Sequence, residues 1–412
     1  MRSLRMAIGN AALLTLMLGH FTNDIFAGVL PMLFPIMKNR FDLSNAEVGL
    51  ATLAYTGASS LSQPFFGYIS DHHGRRWYAS ATLIWGSAFV SFYGYASSFS
   101  LFLSLAFLAG IGSGAYHPLG ASNAAAVTTD RYKNVAMSLY TVGGTSGYAL
   151  GPLIAVALLA LFGPHGTIVL IVPGVLVATL LLGQMRQVER VRRSSDLARG
   201  AEPVSGSPPW PMLARLIGVV MLRSWVFLAV VQFVPIWYDD LGHSSAFYGG
   251  LVTTIILSGA VGTLIGGATA DCIGQRRVVV VSLLASVPAL LLFVTFPGRI
   301  ALLTGALFGL CCDASLSATL VAAQRMLPRR SGVASGVILG LGFITGGIGV
   351  PTTGWLADRI GVQSALMLVS TFCVAAAALA FTVNWSTPHV AMLTSERVDD
   401  AGATRPAPST GQ

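Results

Sequence analysis

Gly67-Tyr-Ile-Ser-Asp71-His-His-Gly74-Arg75-Arg76 is answered, 200 residues further on, by Gly267-Ala-Thr-Ala-Asp271-Cys-Ile-Gly274-Gln-Arg276-Arg277. At the same offset Pro35 and Gly49 are matched by Pro235 and Gly249. The chain therefore reads as a tandem duplication of a mostly apolar unit. Repeats of hydrophobic helices frame the pathway of many secondary transporters, so the repeat sets the class of fold to be tested.

Composition agrees with it. A chain with 54% apolar and 10% charged residues and a mean hydropathy of +0.72 lies outside the range of soluble domains. Runs of about 20 apolar residues recur near 11–37, 45–69, 78–96, 99–124, 136–162, 166–185, 212–238, 246–270, 278–296, 299–325, 333–357 and 362–383. They predict an all-α integral membrane protein with twelve transmembrane helices in two pseudo-symmetric six-helix bundles, 1–185 and 212–385. Barrel strands alternate over about ten residues, and these runs are longer and continuous. A polar stretch rich in Arg, Pro, Ser and Gly at 186–211 is expected to be a cytoplasmic linker, and 386–412 a cytoplasmic tail without a fold.

Lys and Arg set the orientation. With the N-terminus inside, eighteen of the 24 basic residues fall on the cytoplasmic side, only Lys38, Arg40, Arg299 and Arg359 fall outside, and Arg215 and Arg223 lie within the seventh span. The bias predicts that both termini are cytoplasmic in an inner membrane. It also accounts for the net charge of +8, so a nucleic-acid partner is not expected. The first apolar run continues to Met37 without a small-residue cleavage pattern and reads as a span rather than a signal peptide. Ser44 and Glu47 form a capping box before the second span, with Ser244 at the equivalent place before the eighth. Gly143, Gly147 and Gly151 in the fifth span, and Gly332, Gly336 and Gly340 in the eleventh, have the spacing of close helix contacts. Cys272, Cys311, Cys312 and Cys373 have neither zinc spacing nor a secreted framework, and are read as packing residues.

The doubled loop motif resembles the signature of the major facilitator superfamily, Gly-x-x-x-Asp-Arg/Lys-x-Gly-Arg-Arg between spans two and three. His72 and Cys272 depart from it. The glycines Gly67, Gly74, Gly267 and Gly274 admit close helix approach, Asp71 and Asp271 can accept hydrogen bonds from a helix N-terminus, and Arg75, Arg76, Arg276 and Arg277 suit an anionic inner leaflet. The resemblance implies a cytoplasmic latch for alternating access. A plainer reading of the arginines is that inner loops are basic anyway.

Ionisable groups inside the bilayer cost about 2.5–3.5 kcal/mol on translocon scales and so mark function or a partner. They are His20 and Asp24, with the polar Asn23, on the first span, His117 on the fourth, Arg223 on the seventh and Asp313 on the tenth. In major facilitator proteins these four helices line the cavity. His20 and Asp24 share a helix face. Asp24, Arg223 and Asp313 all lie near mid-span and are expected to meet as a charged triad on the pseudo-two-fold axis. Asp24 is the first candidate for proton coupling, because a carboxyl changes its proton affinity with burial and with distance from an arginine; His20, His117 and Asp313 are further candidates. Asn23, His117 and Arg223 are candidate substrate contacts. The plain alternatives are hydrogen-bonded core histidines and a static ion pair. His20 and Asp24 alone do not make a metal site, and none is expected. The absence of a phosphate-binding Gly-x-x-x-x-Gly-Lys-Ser/Thr stretch leaves the proton gradient, with no cofactor, as the energy source.

Gly19-His20-Phe-Thr-Asn23-Asp24, Leu30-Pro31-Met-Leu-Phe-Pro35, Tyr116-His117-Pro118, Leu222-Arg223-Ser224-Trp225 and Gly143-Gly144-x-x-Gly147-x-x-x-Gly151-Pro152 together resemble the fosmidomycin-resistance branch of the superfamily. This implies a monomeric, proton-linked exporter of a small drug. Fosmidomycin is a phosphonate, which Arg223 suits, and an inside-negative potential favours anion export by about 2.3 kcal/mol per charge per 100 mV. The runner-up is a proton symporter importing a small organic anion. A non-transporting membrane sensor is the alternative of another class, and no nucleophile and base pair suggests an enzyme.

Overall fold

The computed structural model describes residues 9–73, 77–127, 133–196, 210–326 and 331–385. They form twelve principal helices. The first half holds α1 (Ala11–Phe41), α2 (Asn45–His73), α3 (Tyr78–Ser91), α4 (Phe99–Ala126), α5 (Lys133–Phe162) and α6 (Ile171–Asp196). The second holds α7 (Trp210–Asp240), α8 (Ser245–Ile273), α9 (Gln275–Thr295), α10 (Ala301–Met326), α11 (Ser331–Ile360) and α12 (Val362–Phe381). Among the described residues nine helices are long and apolar enough to cross a bilayer.

Local chemistry sets the ends. The capping box is present: Ser44 Oγ accepts from Glu47 N at 3.2 Å and Glu47 Oε2 accepts from Ser44 N at 2.8 Å. Ser244 Oγ accepts from Phe247 N at 3.4 Å at the equivalent start of α8. Asn10 Oδ1 caps α1 through Leu13 N. Within α1 a single 3-10 turn at Leu30–Leu33 holds Pro31, whose missing N–H breaks the regular ladder. Helix α6 runs through 186–196, inside the stretch expected to be linker, because Gln, Glu and Arg favour helix; the breakers Gly200, Pro203 and Gly206 come only later. The remainder of that linker and the tail after Trp385 lie outside the described residues.

The two halves pack alike. In the first, α1 lies against α5 and α6, α4 against α2 and α3, and α3 against α6; in the second, α7 against α11 and α12, α10 against α8 and α9, and α9 against α12. The bundles meet along α2–α11 and α5–α8. The duplication reaches individual contacts to within one residue, since Gly110 of α4 abuts the Tyr55 carbonyl of α2 and Gly309 of α10 abuts that of Ile255 in α8. We refer to the side carrying the α1–α2 and α7–α8 turns as the far face, and to the side of the α6–α7 connection as the linker face.

The glycine row of α5 is a backbone-to-backbone seam. A methyl at Gly143, Gly147 or Gly151 would meet the carbonyls of Met17, Phe21 or Ile25 in α1. In α11 Gly342 and Gly346 face α7 but meet mainly the side chains of Val220, Ser224 and Leu228, while Gly340 faces open space; the side-chain surroundings of positions 332 and 336 are outside the description. Gly147→Ala is therefore expected to cost about 1–3 kcal/mol by overpacking, read as a lower melting temperature in detergent. Gly57→Ala, whose methyl would meet only a Leu53 side-chain carbon at 3.7 Å, is expected to leave it unchanged.

Candidate functional site

Two buried polar clusters lie in the bilayer-spanning region, one in each bundle. In the first, Asp24 of α1 sits between two imidazoles: His20 Nε2 is 3.3 Å from Oδ2, and His117 Nε2 of α4 is 3.4 Å from Oδ1. Each opposite ring nitrogen meets a backbone carbonyl, His20 Nδ1 that of Tyr140 at 2.9 Å and His117 Nδ1 that of Ser113 at 2.8 Å. A carbonyl only accepts, so both Nδ1 atoms carry protons. A neutral ring then turns the lone pair of Nε2 toward carboxylate oxygen, which repels. A proton on Nε2 makes the same contact a charge-assisted hydrogen bond. The trio thus demands a cation.

Packing holds this arrangement in place. The His20 ring stacks on Tyr140 with centroids 4.3 Å apart and meets the His117 ring edge-on at 5.2 Å. Asn23 Nδ2 donates to Asp24 Oδ1 at 2.9 Å and to Ser113 Oγ at 3.2 Å. A methyl on Gly144 would stand 2.5 Å from His20 Nε2 and 2.6 Å from Asp24 Oδ2, so this position must stay bare. The side chain of His117 is 31% exposed against 10% for His20, so His117 is the more open of the two rings. The three ligand atoms lie within 4.8 Å of one another, so His117 supplies the third donor that His20 and Asp24 lacked in the sequence reading, and the set matches a partial metal site.

In the second bundle Arg223 of α7 forms an ion pair with Asp313 of α10. Arg223 Nε also faces the Cys312 carbonyl at 3.4 Å, and its guanidinium lies 5.4 Å from the Phe227 ring centroid. The expected triad of Asp24, Arg223 and Asp313 does not form: Asp24 pairs with histidines and Arg223 pairs with Asp313. The duplication explains the change. Asn23 and Ser113, hydrogen-bonded across α1 and α4, stand 200 residues before Arg223 and Asp313, so the ion pair is the repeat's copy of a neutral contact. Mapping both partners by the offset, instead of Asn23 alone, pairs the two positions once the contact in the first half is known. Tyr140 and Ser113, which orient the trio through their backbone carbonyls, carry no such signal.

Of the loop motifs, Gly67 packs beside Pro118, next to His117, and Gly267 beside Ser317, its repeat counterpart. Gly274 ends α8 with φ +94°, Arg276 lies 5.0 Å from the Phe381 ring centroid, and Arg277 is exposed. Gly74, Arg75 and Arg76, and the side chains of Asp71 and Asp271, lie outside the described residues.

The sequence pattern of the Major Facilitator Superfamily matches residues 16–259 and 216–408. The chain belongs to the major facilitator superfamily. The MFS-type transporter YfnC of Bacillus subtilis (strain 168) is 30% identical over 85% of this chain and 87% of its own. The fosmidomycin resistance protein of Escherichia coli (strain K12) is 27% identical over 84% of this chain and 86% of its own. Among solved structures, a bacterial homologue of the human lysosomal transporter Spinster, inward-facing and occupied, superposes with a TM-score of 0.75 at 20% identity, covering 90% of this chain and 95% of that one. This major facilitator chain is a multi-pass membrane transporter and not an enzyme.

Removing one member of a buried ion pair strands the other. Arg223→Met or Asp313→Leu alone is expected to lose about 3–5 kcal/mol, and the double variant to recover most of it. Thermal unfolding in detergent measures the cycle; additive losses, with the double variant losing the sum of the two single ones, would contradict a coupled pair.

Proposed function

We propose that this transporter is a proton-coupled exporter of a small anionic or polar drug such as fosmidomycin, working by alternating access. The observation that carries the coupling is the His20–Asp24–His117 trio, which is attractive only while it holds a cation. Losing the proton forces the rings and the carboxylate apart, and the seam between α1 and α5 lies directly behind them. Support for the substrate comes from the relative that confers fosmidomycin resistance and from a guanidinium, Arg223, that suits a phosphonate.

In this reading residues 1–185 and 212–385 are the rocking units, joined through the linker at 186–211. The Asp71 and Asp271 motifs latch the cytoplasmic side, Asn23, His117 and Arg223 contact substrate, and the proton gradient supplies the energy. The linker face is cytoplasmic, the membrane is the inner one, and a single chain completes the pathway.

A second reading, import of a small organic anion with protons, is favoured by the Arg223–Asp313 pair. An anion that takes Arg223 displaces the carboxylate, which then gains affinity for a proton. Anion and proton thus bind best together.

Accumulation of labelled fosmidomycin in susceptible cells, with and without a protonophore, separates the two. Export predicts accumulation lowered severalfold by the wild-type chain, with the effect lost in Asp24→Asn and on adding the protonophore. Raised accumulation would replace export by import. No difference from empty cells would remove fosmidomycin as a substrate.

A further inference from the structure

Helix α11 ends on a third copy of the loop motif's spacing, at the far face. Gly354-Trp-Leu-Ala-Asp358-Arg359-Ile-Gly361 places Gly, Asp and Gly as in Gly67, Asp71, Gly74 and in Gly267, Asp271, Gly274. The backbone agrees: Gly361 (φ +82°) donates to the Ala357 carbonyl as Gly274 (φ +94°) donates to that of Ala270, so Asp358 stands on its terminal turn where Asp271 stands on its own.

What Asp358 touches is in the other bundle. Its Oδ1 accepts from Asn45 N at 2.8 Å and its Oδ2 from Ala46 N at 3.0 Å. These are the first two N–H groups of α2, which no intrahelical partner can satisfy, and they lie at the positive end of the helix dipole. The backbones close in around this contact. Gly354 abuts the Asn45 carbonyl, and a methyl on Gly49 would meet Pro351 Cα at 2.5 Å. On the same face Lys38 Nζ of α1 lies 3.6 Å from Asp240 Oδ2 of α7. The other inter-bundle seam lacks the device, because α5 ends at Gly163 (φ +63°) with Ala160 where α11 has Asp358.

Helices α2 and α11 are antiparallel. The C-terminal end of α11 meets the N-terminal end of α2 at the far face, and at the linker face α2 ends on the Asp71 motif where α11 begins with Ser331. We propose that Asp358 is the far-face latch of the transport cycle, capping the start of α2 while the far face is shut and leaving it when that face opens. The inference rests on the alternating-access part of the proposed function, and is independent of its substrate and its protons. The latch is worth little beside the packing of a bundle, which suits a contact that breaks once in every cycle.

Electron–electron distance measurements between spin labels at Ser97→Cys and Arg299→Cys, exposed far-face positions in opposite bundles, test it in the purified chain carrying Cys272→Ser and Cys311→Ser. Without any substrate, Asp358→Asn is expected to lower the ratio of short to long distances about threefold to tenfold, and Asp358→Glu to restore part of it. A ratio that Asp358→Asn does not lower would overturn the proposal. Failure of fosmidomycin transport leaves this readout untouched, so the two readings fail separately.

Discussion

An ionised group inside a bilayer persists only when something of opposite charge or a hydrogen-bond donor faces it, because no water is there to do so. The internal architecture of this chain follows from that constraint. Backbone polar groups are satisfied within helices, and proline is admitted where a turn or a neighbouring helix takes up the lost bond. The buried ionisable side chains that the sequence offered as site candidates gather into two clusters. Arg223 and Asp313 neutralise each other across α7 and α10. Asp24 is met by two rings whose other nitrogens are already committed to carbonyls. The Arg223–Asp313 pair is complete as it stands, whereas the geometry around Asp24 calls for a cation.

The duplication makes that asymmetry visible. At the repeat positions of His20, Asp24 and His117 stand Val220, Ser224 and Ser317, none of which titrates near neutral pH. At the repeat positions of Arg223 and Asp313 stand Asn23 and Ser113. The contact between the first and fourth helix that is neutral in the first half, Asn23–Ser113, is thus an ion pair in the second, and the trio around Asp24 has no titratable counterpart there. Gly144 beside Asp24 and Gly259 beside Asp313 leave each carboxylate room on its flank, since a methyl on either would come within 2.6 Å of a carboxylate oxygen.

Much of this was legible in the residues. The 200-residue repeat and the length of the apolar runs give the twelve helices, and the i, i+4 spacing gives the His20–Asp24 face. Meeting partners were harder to read, because spacing along a helix fixes which side chains share a face but not which face of another helix they meet. The residues set His117 on the right helix without its contact to Asp24, and offer Arg223 both Asp24 and Asp313, of which only Asp313 meets it. Asp358 stands beside Arg359, which reads as an outer charge, although the Gly-x-x-x-Asp spacing repeats that of Asp71. Its role depends on a helix end more than 300 residues away in sequence, which no local pattern reveals.

The central claim is that the trio carries a proton on an imidazole Nε2 while it keeps this geometry. Nitrogen-15 solid-state NMR of the labelled protein in lipid at neutral pH, with His20→Gln and His117→Gln used to assign the rings, reads that directly. The account predicts that at least one of the two rings is an imidazolium, with both nitrogens protonated, and that Asp24→Asn returns it to the neutral form with the proton on Nδ1. Two neutral rings beside an intact Asp24 in the wild-type protein would contradict it.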